Sequence, residues 1–529
     1  MAVEIGRKFG IEVYIEKLLY SCPKLDKLYL LIREKKGISA DKRITDLFDN
    51  PLFKRLKSSN PDFLKKVVLV PGDLSLPKLG ISPSDEQTLI NKTTALTEKK
   101  MEKSEFRVLI KHYFLRKKSI TKTKAMIDKY YGDSAPFISM VKKWFTEFRC
   151  GRTSTEDAER SGGPVEVSTS EIAEKMHDMV LADRRLKVSI VYHAGATVRF
   201  HEPLPVSMNI NFEGTRQMLE LSQRMKNIEA FVFVSTAYAQ GSAKVLVETT
   251  YPSPAKVEDV YKFIEEHGHD NDEVKKFIGS HFGTYAFAKS LSEAYIAKNH
   301  GKVPTVIIRP SAVTSMKDGP VKGWLDNWFG ASGILFYVNE GAIRVMHGKG
   351  NNIIDFTPVD YVSNLSIISA MRAKESNEVQ VFNSTSSSDN PVNWDTIYKK
   401  MKEEKTLSGK NKFPYLSLTY VNSKLGLQLG TFFLQITPAV IADLWLKLKG
   451  KDPKYLKVVS HAIAVRNAYE YFTSNIFVMR SDRTRELHSS LSLEDREEFQ
   501  CDPTQIRWPE YLKDNMHGIY KYLKPPKMI

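Results

Sequence analysis

The chain is poor in cysteine: Cys22, Cys150 and Cys501 are the only three among 529 residues. Thiols so few and so far apart exclude a disulfide framework, suggest no metal cluster, and point to a reducing compartment. Also missing is an apolar core behind a basic start: MAVEIGRKFG does not read as a secretory signal. The C-terminal PPKMI is no familiar targeting address. Low-complexity tracts and internal repeats are absent. Long uncharged runs are scarce, the best membrane candidate being residues 425–442 (LGLQLGTFFLQITPAVIA), 18 residues without a charge. Gln428, Gln435 and Pro438 within it favour a buried or interfacially docked segment over a true span.

What the chain does have is 42% hydrophobic residues, enough for substantial cores. Its length suggests roughly two to four domains. It also carries 78 basic against 62 acidic residues, a net charge of +16. That balance favours an anionic contact, whether nucleic acid, a phospholipid surface, or a phosphate-bearing substrate or cofactor, and does not choose among them.

Hydrophobic spacing predicts an α/β fold. IEVYIEKLLYSC repeats apolar residues at helical intervals, Pro23 ends it, and KLYLLIREKKG is a short apolar strand closed by Gly37. Further strands are expected at KKVVLVPGDLS, VSIVYHAG, AFVFVST and TVIIRPS. Their aliphatic, non-alternating character fits a parallel sheet covered on both faces. From about residue 390 onward the strand signals fade. PAVIADLWLKLKG, AIAVRNAYEYF and QIRWPEYLKDNMHGIYKYL predict a separate C-terminal helical domain.

Between the strands expected at KKVVLVPGDLS and VSIVYHAG, from about residue 93 to 187, the text changes character. It holds 20 Lys or Arg and 14 Asp or Glu, and so supplies +6 of the net charge. SEFRVLIKHYFLRK, TKTKAMIDKYY and ISMVKKWFTEFRCG read as helices, with Gly132 and Pro136 marking a turn between the last two. A connection this long is not needed by a sheet. Removing it joins LINK to VSIVYHAG.

The pattern Tyr-x-x-x-Lys is cheap, starting at Tyr20, Tyr113, Tyr285, Tyr398, Tyr420 and Tyr520. Tyr285 is set apart by its neighbours, because a strand ending in Ser235 and Thr236 precedes it and the strand VIIRPS follows it. Four residues of helix place Tyr285 and Lys289 on one face. A phenol is a poor acid or base near neutral pH unless a cation favours its phenolate, which is the part expected of Lys289. A hydroxyl at Ser235 or Thr236, at the carboxyl end of a parallel strand, is placed to hydrogen-bond a carbonyl oxygen that gains charge as hydride arrives. For the motif alone, an exposed Tyr and Lys on an amphipathic helix is the more ordinary account. The flanking strands reverse that.

Other residues fall where a doubly wound fold uses them. Arg33 follows a strand and suits a ribose 2′-phosphate, favouring NADPH over NADH. Asp73, in PGDLS, suits an adenine amino group. The small residues of His193-Ala194-Gly195-Ala196 allow close approach to a dinucleotide. Taken singly, each is equally well a plain turn residue.

The blocks IEKLLYSCPKLDKLYLLIREKKG, VYHAGATVRFHEPL, NINFEGTRQMLEL, FVFVSTAYAQ, TYAFAKSLSE and VIIRPSAV resemble, in order, those of the fatty acyl-CoA reductases. The likeness covers residues 11–92 and 188 to about 375. From TPAVIADLWLKLKGKDPKYLK to WPEYLKDNMHGIYKYL the chain is similar to the helical domain that closes those enzymes.

The resemblance implies a Rossmann-like doubly wound parallel sheet split over residues 1–92 and 188–390, followed by the helical domain at 391–529. It implies NADPH-dependent reduction of a long-chain fatty acyl-CoA to a fatty alcohol through an aldehyde, with CoA released. Carried over by position, Tyr285 is the proton donor, Lys289 supports it and holds the ribose, and Thr236 or Ser235 polarises the carbonyl. Asn211 steadies a helix near the site, while Gly6, Gly10, Arg33, Asp73, His193, Ala194, Gly195 and Pro310 line the cofactor. Such enzymes sit on the cytosolic face of the endoplasmic reticulum or peroxisome, which agrees with the positive charge and the apolar stretch around Phe432.

Two departures stand out. Where the family has a turn of the form Thr-Gly-x-x-Gly-x-x-Gly, this chain reads EIGRKFGIEV: Gly6 and Gly10 remain, Arg7 and Lys8 replace compact residues, and the preceding strand has nearly vanished. A catalytically inactive remnant is one alternative that follows. The other departure is the segment at 93–187, whose text from Met101 resembles the DNA-binding part of a mariner-type transposase. That likeness implies a helix-turn-helix whose last helix, about residues 137–148, reads the major groove, with Lys142, Lys143 and Arg149 on phosphates. DNA binding through residues 101–150 is thus the rival function, without transposition chemistry.

Overall fold

The computed structural model describes residues 2–5, 10–23, 25–34, 37–91, 110, 119–121, 123–124, 138–149, 189–241, 243–328, 331–408 and 417–523. Its contacts divide the chain into two compact units, Met1–Glu86 with Ser189–Ile529, and Gln87–Val188.

The first unit is built on a seven-stranded sheet of β1 (Ala2–Ile5), β2 (Leu28–Ile32), β3 (Val67–Pro71), β4 (Ser189–His193), β5 (Ile228–Val234), β6 (Thr305–Pro310) and β7 (Gln380–Ser384). The order is β7-β6-β5-β4-β1-β2-β3 and every pairing is parallel. The strand order therefore reverses between β1 and β4, and the crevice beyond the carboxyl ends there is where doubly wound sheets take ligands. The sequence pattern foresees β2 to β6, because strands buried on both faces read as unbroken apolar runs; all six residues of β6 are buried. It misses β7 and undervalues β1. β1 is a short strand, yet it pairs with both β2 and β4, so neighbours on either side supply the ladder that its own residues advertise weakly.

Helices cover the sheet. α1 (Ile11–Ser21) buries Ile11, Tyr14, Ile15, Leu18 and Leu19, the i, i+3, i+4 stripe of a core-facing helix. α2 (Gly214–Arg224) follows a π-turn at Met208–Glu213. α3 (Gly283–Asn299) joins β5 to β6, and α4 (Val359–Arg372) precedes β7. Tyr14 Oη lies 2.7 Å from Ser366 Oγ, locking α1 against α4. Gly10 opens α1 with φ of 57°, and a Cβ there would come within 2.3 Å of Val359 Cγ2, so glycine is required twice over.

The C-terminal region is helical as expected, with a long helix α5 (Lys424–Leu448), α6 (Tyr455–Ala468) and α7 (Trp508–Tyr522). Rather than standing apart, it belongs to the same compact unit: Val458, Ala462, Trp508, Tyr511 and Ile519 join the hydrophobic core that holds β2, β4, β5 and β6. Glu248 adds a polar tie, accepting from the backbone N–H groups of Asn383 at 2.9 Å and Thr484 at 3.1 Å.

In the second unit the helix Ile138–Arg149 falls where ISMVKKWFTEFR predicts one. It buries Val141, Trp144, Phe145 and Phe148 and leaves Lys142 and Lys143 exposed. The helices expected at SEFRVLIKHYFLRK and TKTKAMIDKYY lie almost wholly outside the described residues, as does the side chain of Arg149.

Candidate functional site

Helix α3 begins where Gly283, at φ of 78°, passes so close to Phe200 that a Cβ would lie 2.0 Å from its carbonyl oxygen. Thr284 Oγ1 donates to Glu202 O at 2.7 Å. These contacts set the first turn, and with it Tyr285. One turn on, Lys289 donates to the carbonyl oxygen of Val234 at 2.8 Å, and its Nζ stands 4.4 Å from the Phe233 ring centroid. The helix is thus tied to the end of β5, where Ser235 and Thr236 follow.

Tyr285, Lys289, Ser235 and Thr236 are all buried. Among the described residues, Tyr285 Oη and Ser235 Oγ are enclosed without a well-formed hydrogen bond. Burial pushes the Tyr285 phenol above its ordinary value, and the nearby Thr236 hydroxyl offsets this only in part. The Lys289 ammonium is engaged with Val234 O, and burial favours the protonated form of the phenol.

Asn211 lies in the π-turn before α2. Its side chain accepts from Thr197 N at 2.9 Å and donates to Thr197 O at 3.2 Å, while its carbonyl accepts from Ser292 Oγ at 3.2 Å. It therefore clamps the segment after β4 to both α2 and α3. His193 ends β4. Its ring stacks 5.6 Å from Phe233 and its Nε2 lies 2.9 Å from Thr215 Oγ1, so the side chain packs into the core. Ala194, Gly195 and Ala196 are buried and small, as close approach requires.

Residues at the two ends of the cleft fit a dinucleotide. At one end, Arg33 Nη1 and Asp73 Oδ2 are 3.5 Å apart beyond β2 and β3, and the Arg33 side chain remains 45% exposed. At the other end, one cavity is lined by Gly10, Thr236, Tyr285, Ser311 and Thr314, just past Pro310. Pro310 itself is buried in β6, its carbonyl accepting from Ala237 N at 2.9 Å. Between these ends, Glu12 in the first turn of α1 has its Oε2 enclosed; burial, and then the charge of Asp326, raises it above the usual carboxylate range and favours the neutral form. Gly6, with Arg7 and Lys8, lies outside the described residues.

The rest of the cavity wall was not foreseen. Trp324, Phe356, Trp394, Tyr469 and Phe472 surround Tyr285 with apolar surface. Phe200 packs against Tyr285, Tyr469 and Phe472 with ring centroids 6.0, 5.8 and 5.4 Å away. The aromatic run AYEYF was the one signal available; it reads as helix rather than as site.

A doubly wound parallel sheet with a buried tyrosine and lysine at the end of β5, opening on an apolar cavity, defines an oxidoreductase of Rossmann-like fold that takes a nicotinamide dinucleotide. Residues 12–98 and 174–366 match the NAD-binding region of the male sterility protein family, and residues 434–524 match that family's sterile region. The chain belongs to the male sterility protein family.

It is 27% identical over 522 residues to fatty acyl-CoA reductase 1 of Rattus norvegicus, covering 98% of this chain and 83% of that one. Fatty acyl-CoA reductase 1 of Homo sapiens gives the same figures of 27%, 98% and 83%, and fatty acyl-CoA reductase wat of Drosophila melanogaster is 25% identical over 528 residues. The terminal R domain from the myxalamid PKS-NRPS biosynthetic pathway shares the fold, with a TM-score of 0.53 at 16% identity over 99% of this chain and 92% of that one. Residues 103–152 match the helix-turn-helix domain in Mos1 transposase, between the two stretches of the NAD-binding match. That NAD-binding match begins at residue 12, just past Gly10.

Proposed function

We propose that this chain reduces long-chain fatty acyl-CoA to fatty alcohol with NADPH, releasing CoA. The observation that carries the reading is the enclosed Tyr285 hydroxyl beside Thr236 at the head of an apolar cavity. An acyl chain suits the Trp324, Phe356 and Phe472 wall, and its thioester carbonyl then lies at the hydroxyls.

Bound NADPH supplies hydride to the carbonyl carbon in each of two reductions. Thr236, with Ser235, donates to the carbonyl oxygen as it gains charge. When the first tetrahedral adduct collapses, the carbon–sulfur bond breaks and CoA leaves as its thiolate, giving aldehyde. In the second reduction Tyr285 donates its proton to the alkoxide and is reprotonated from solvent. Lys289 holds the ribose and the end of β5, and Asn211 keeps the post-β4 segment in place. Gly6, Gly10, Asp73, the backbone of 193–195 and Pro310 line the cofactor, and Arg33 selects the 2′-phosphate. The enzyme works against the cytosolic face of a peroxisomal or endoplasmic reticulum membrane, where long-chain substrate partitions.

The test is NADPH oxidation by the full chain with acyl-CoAs of graded length, beside Tyr285→Phe. Turnover that this substitution leaves intact rejects the reading. Failure of the chain to bind NADPH in a fluorescence titration makes it an inactive remnant.

A second reading concerns the second unit. Its match to a transposase helix-turn-helix, with Lys142 and Lys143 exposed on the helix Ile138–Arg149, supports duplex DNA binding through residues 101–150. Salt-sensitive binding to duplex DNA tests it, and its absence at low salt rejects it.

A further inference from the structure

Helix α5 runs 25 residues, and its most apolar 18-residue window has a mean hydropathy of 1.5 with only 22% of it buried. It continues through Pro438 because the π-turn at Phe432–Ile436, one residue wider than an α-turn, comes just before that ring and relaxes the helix around it. Its two faces differ in kind.

The inner face is fastened to the protein along most of its length. Arg466 Nη1 donates to Thr431 Oγ1 at 2.8 Å. Gln435 Nε2 donates to Ala342 O at 2.9 Å, and Asp443 accepts from the N–H groups of Lys454, Tyr455 and Leu456 at 2.8, 2.8 and 2.9 Å. The outer face is apolar: Leu429, Phe433, Ile441, Leu444, Trp445 and Leu448 are between 50% and 86% exposed. In its last turn and beyond its carboxyl end, Lys447, Lys449, Lys451, Lys454 and Lys457 are all exposed, with Asp452 the one acid among them. Lys449 Nζ stands 3.8 Å from the Trp445 ring centroid, at the border between the apolar face and the basic cluster.

A helix that crosses a bilayer shows lipid an apolar surface all round, or buries its polar face among other spanning helices. α5 does neither, since its inner polar groups bind Arg466 and the start of α6. A helix apolar on one side and basic at its end instead lies in the headgroup layer, with lysines on anionic lipid.

We propose that α5 docks the protein flat on an anionic phospholipid leaflet, its apolar face sunk below the headgroups and the Lys447–Lys457 cluster upon them, without spanning. This rests on the membrane-facing placement proposed above and names its surface and mode. α6 packs on α5, and Tyr469 and Phe472 just after α6 line the cavity that holds Tyr285. Docking thus puts the cavity wall one helix away from the lipid that carries the acyl chains.

The experiment is flotation of the full chain with vesicles of phosphatidylcholine alone and with 30% phosphatidylserine. The variants are Phe433→Asp with Leu444→Asp, and Lys449→Glu with Lys454→Glu, all at exposed positions. Bound protein falls at least tenfold in the first pair. In the second the preference for phosphatidylserine disappears, and alkaline carbonate releases the wild type. Each variant reduces a water-soluble short-chain acyl-CoA without vesicles as the wild type does, which separates docking from catalysis. Wild-type protein that binds neither vesicle overturns the membrane placement itself. Binding that both variants keep overturns this surface alone, and resistance to carbonate overturns the flat orientation. A dimeric mass in solution that the first pair of substitutions halves assigns the face to a second copy of the chain and overturns the proposal.

Discussion

Lys289 reaches back from α3 to donate to the carbonyl oxygen of Val234 at 2.8 Å, so that one buried ammonium fixes the helix carrying Tyr285 to the strand end presenting Ser235 and Thr236. The geometry of the site therefore rests on a charge spent on backbone. Burial raises the Tyr285 phenol above its ordinary value.

Tyr285→Phe removes the proposed proton donor and little that the fold needs, because Tyr285 Oη has no well-formed partner. Turnover is expected to fall by roughly 10²–10⁴-fold, the usual worth of a positioned acid. Thermal melting of the variant is expected to match the wild type within about 1 kcal/mol. A large loss of stability with activity retained would reverse the assignment.

The pH profile carries a sign. In the proposed reaction Tyr285 acts in its protonated form, and burial raises the pH at which that form is lost, so the active window is expected to extend upward. No decline in kcat assignable to a phenol is expected below about pH 10, the ordinary tyrosine value. A descending limb centred near neutrality, moved upward by Lys289→Met, would mean that the lysine governs the phenol once cofactor is bound.

Glu293 and Arg309 form an ion pair at 2.7 Å with side chains 1% and 0% exposed, joining α3 to β6. Such a pair contributes little net stability when whole and costs much when halved. Glu293→Ala is expected to lower unfolding stability by about 3–5 kcal/mol in urea titration. Replacing both residues by Met recovers most of that; an equally severe double variant would show that the pair contributes more than its own neutralisation.

Arg33→Ala tests cofactor choice. With the 2′-phosphate contact removed, the KM for NADPH is expected to rise roughly tenfold while that for NADH changes little. Equal effects on both cofactors would assign Arg33 to its pairing with Asp73 rather than to the phosphate.

Read along the chain, apolar runs such as AFVFV and TVIIRP announce β5 and β6, and the four-residue spacing of Tyr285 and Lys289 puts them on one helical face. Both are local, set by backbone periodicity and by burial on two sides, and so visible in sequence. β1 and β7 were harder to see, since short strands take their stability from ladder partners far away in the chain.

The sequence by itself determined the class of sheet, the family likeness and the candidate tyrosine, because these depend on residue type and spacing. Only the tertiary structure decided where Lys289 points, that His193 serves the core, that Asn211 sits in a π-turn, and that Tyr469 and Phe472 wall the cavity. It alone showed as well that α5 keeps one face on the protein and the other exposed. Hydropathy counts apolar residues, but which side of a helix meets water is set by what packs against it, and α6 with Arg466 comes from further along the chain.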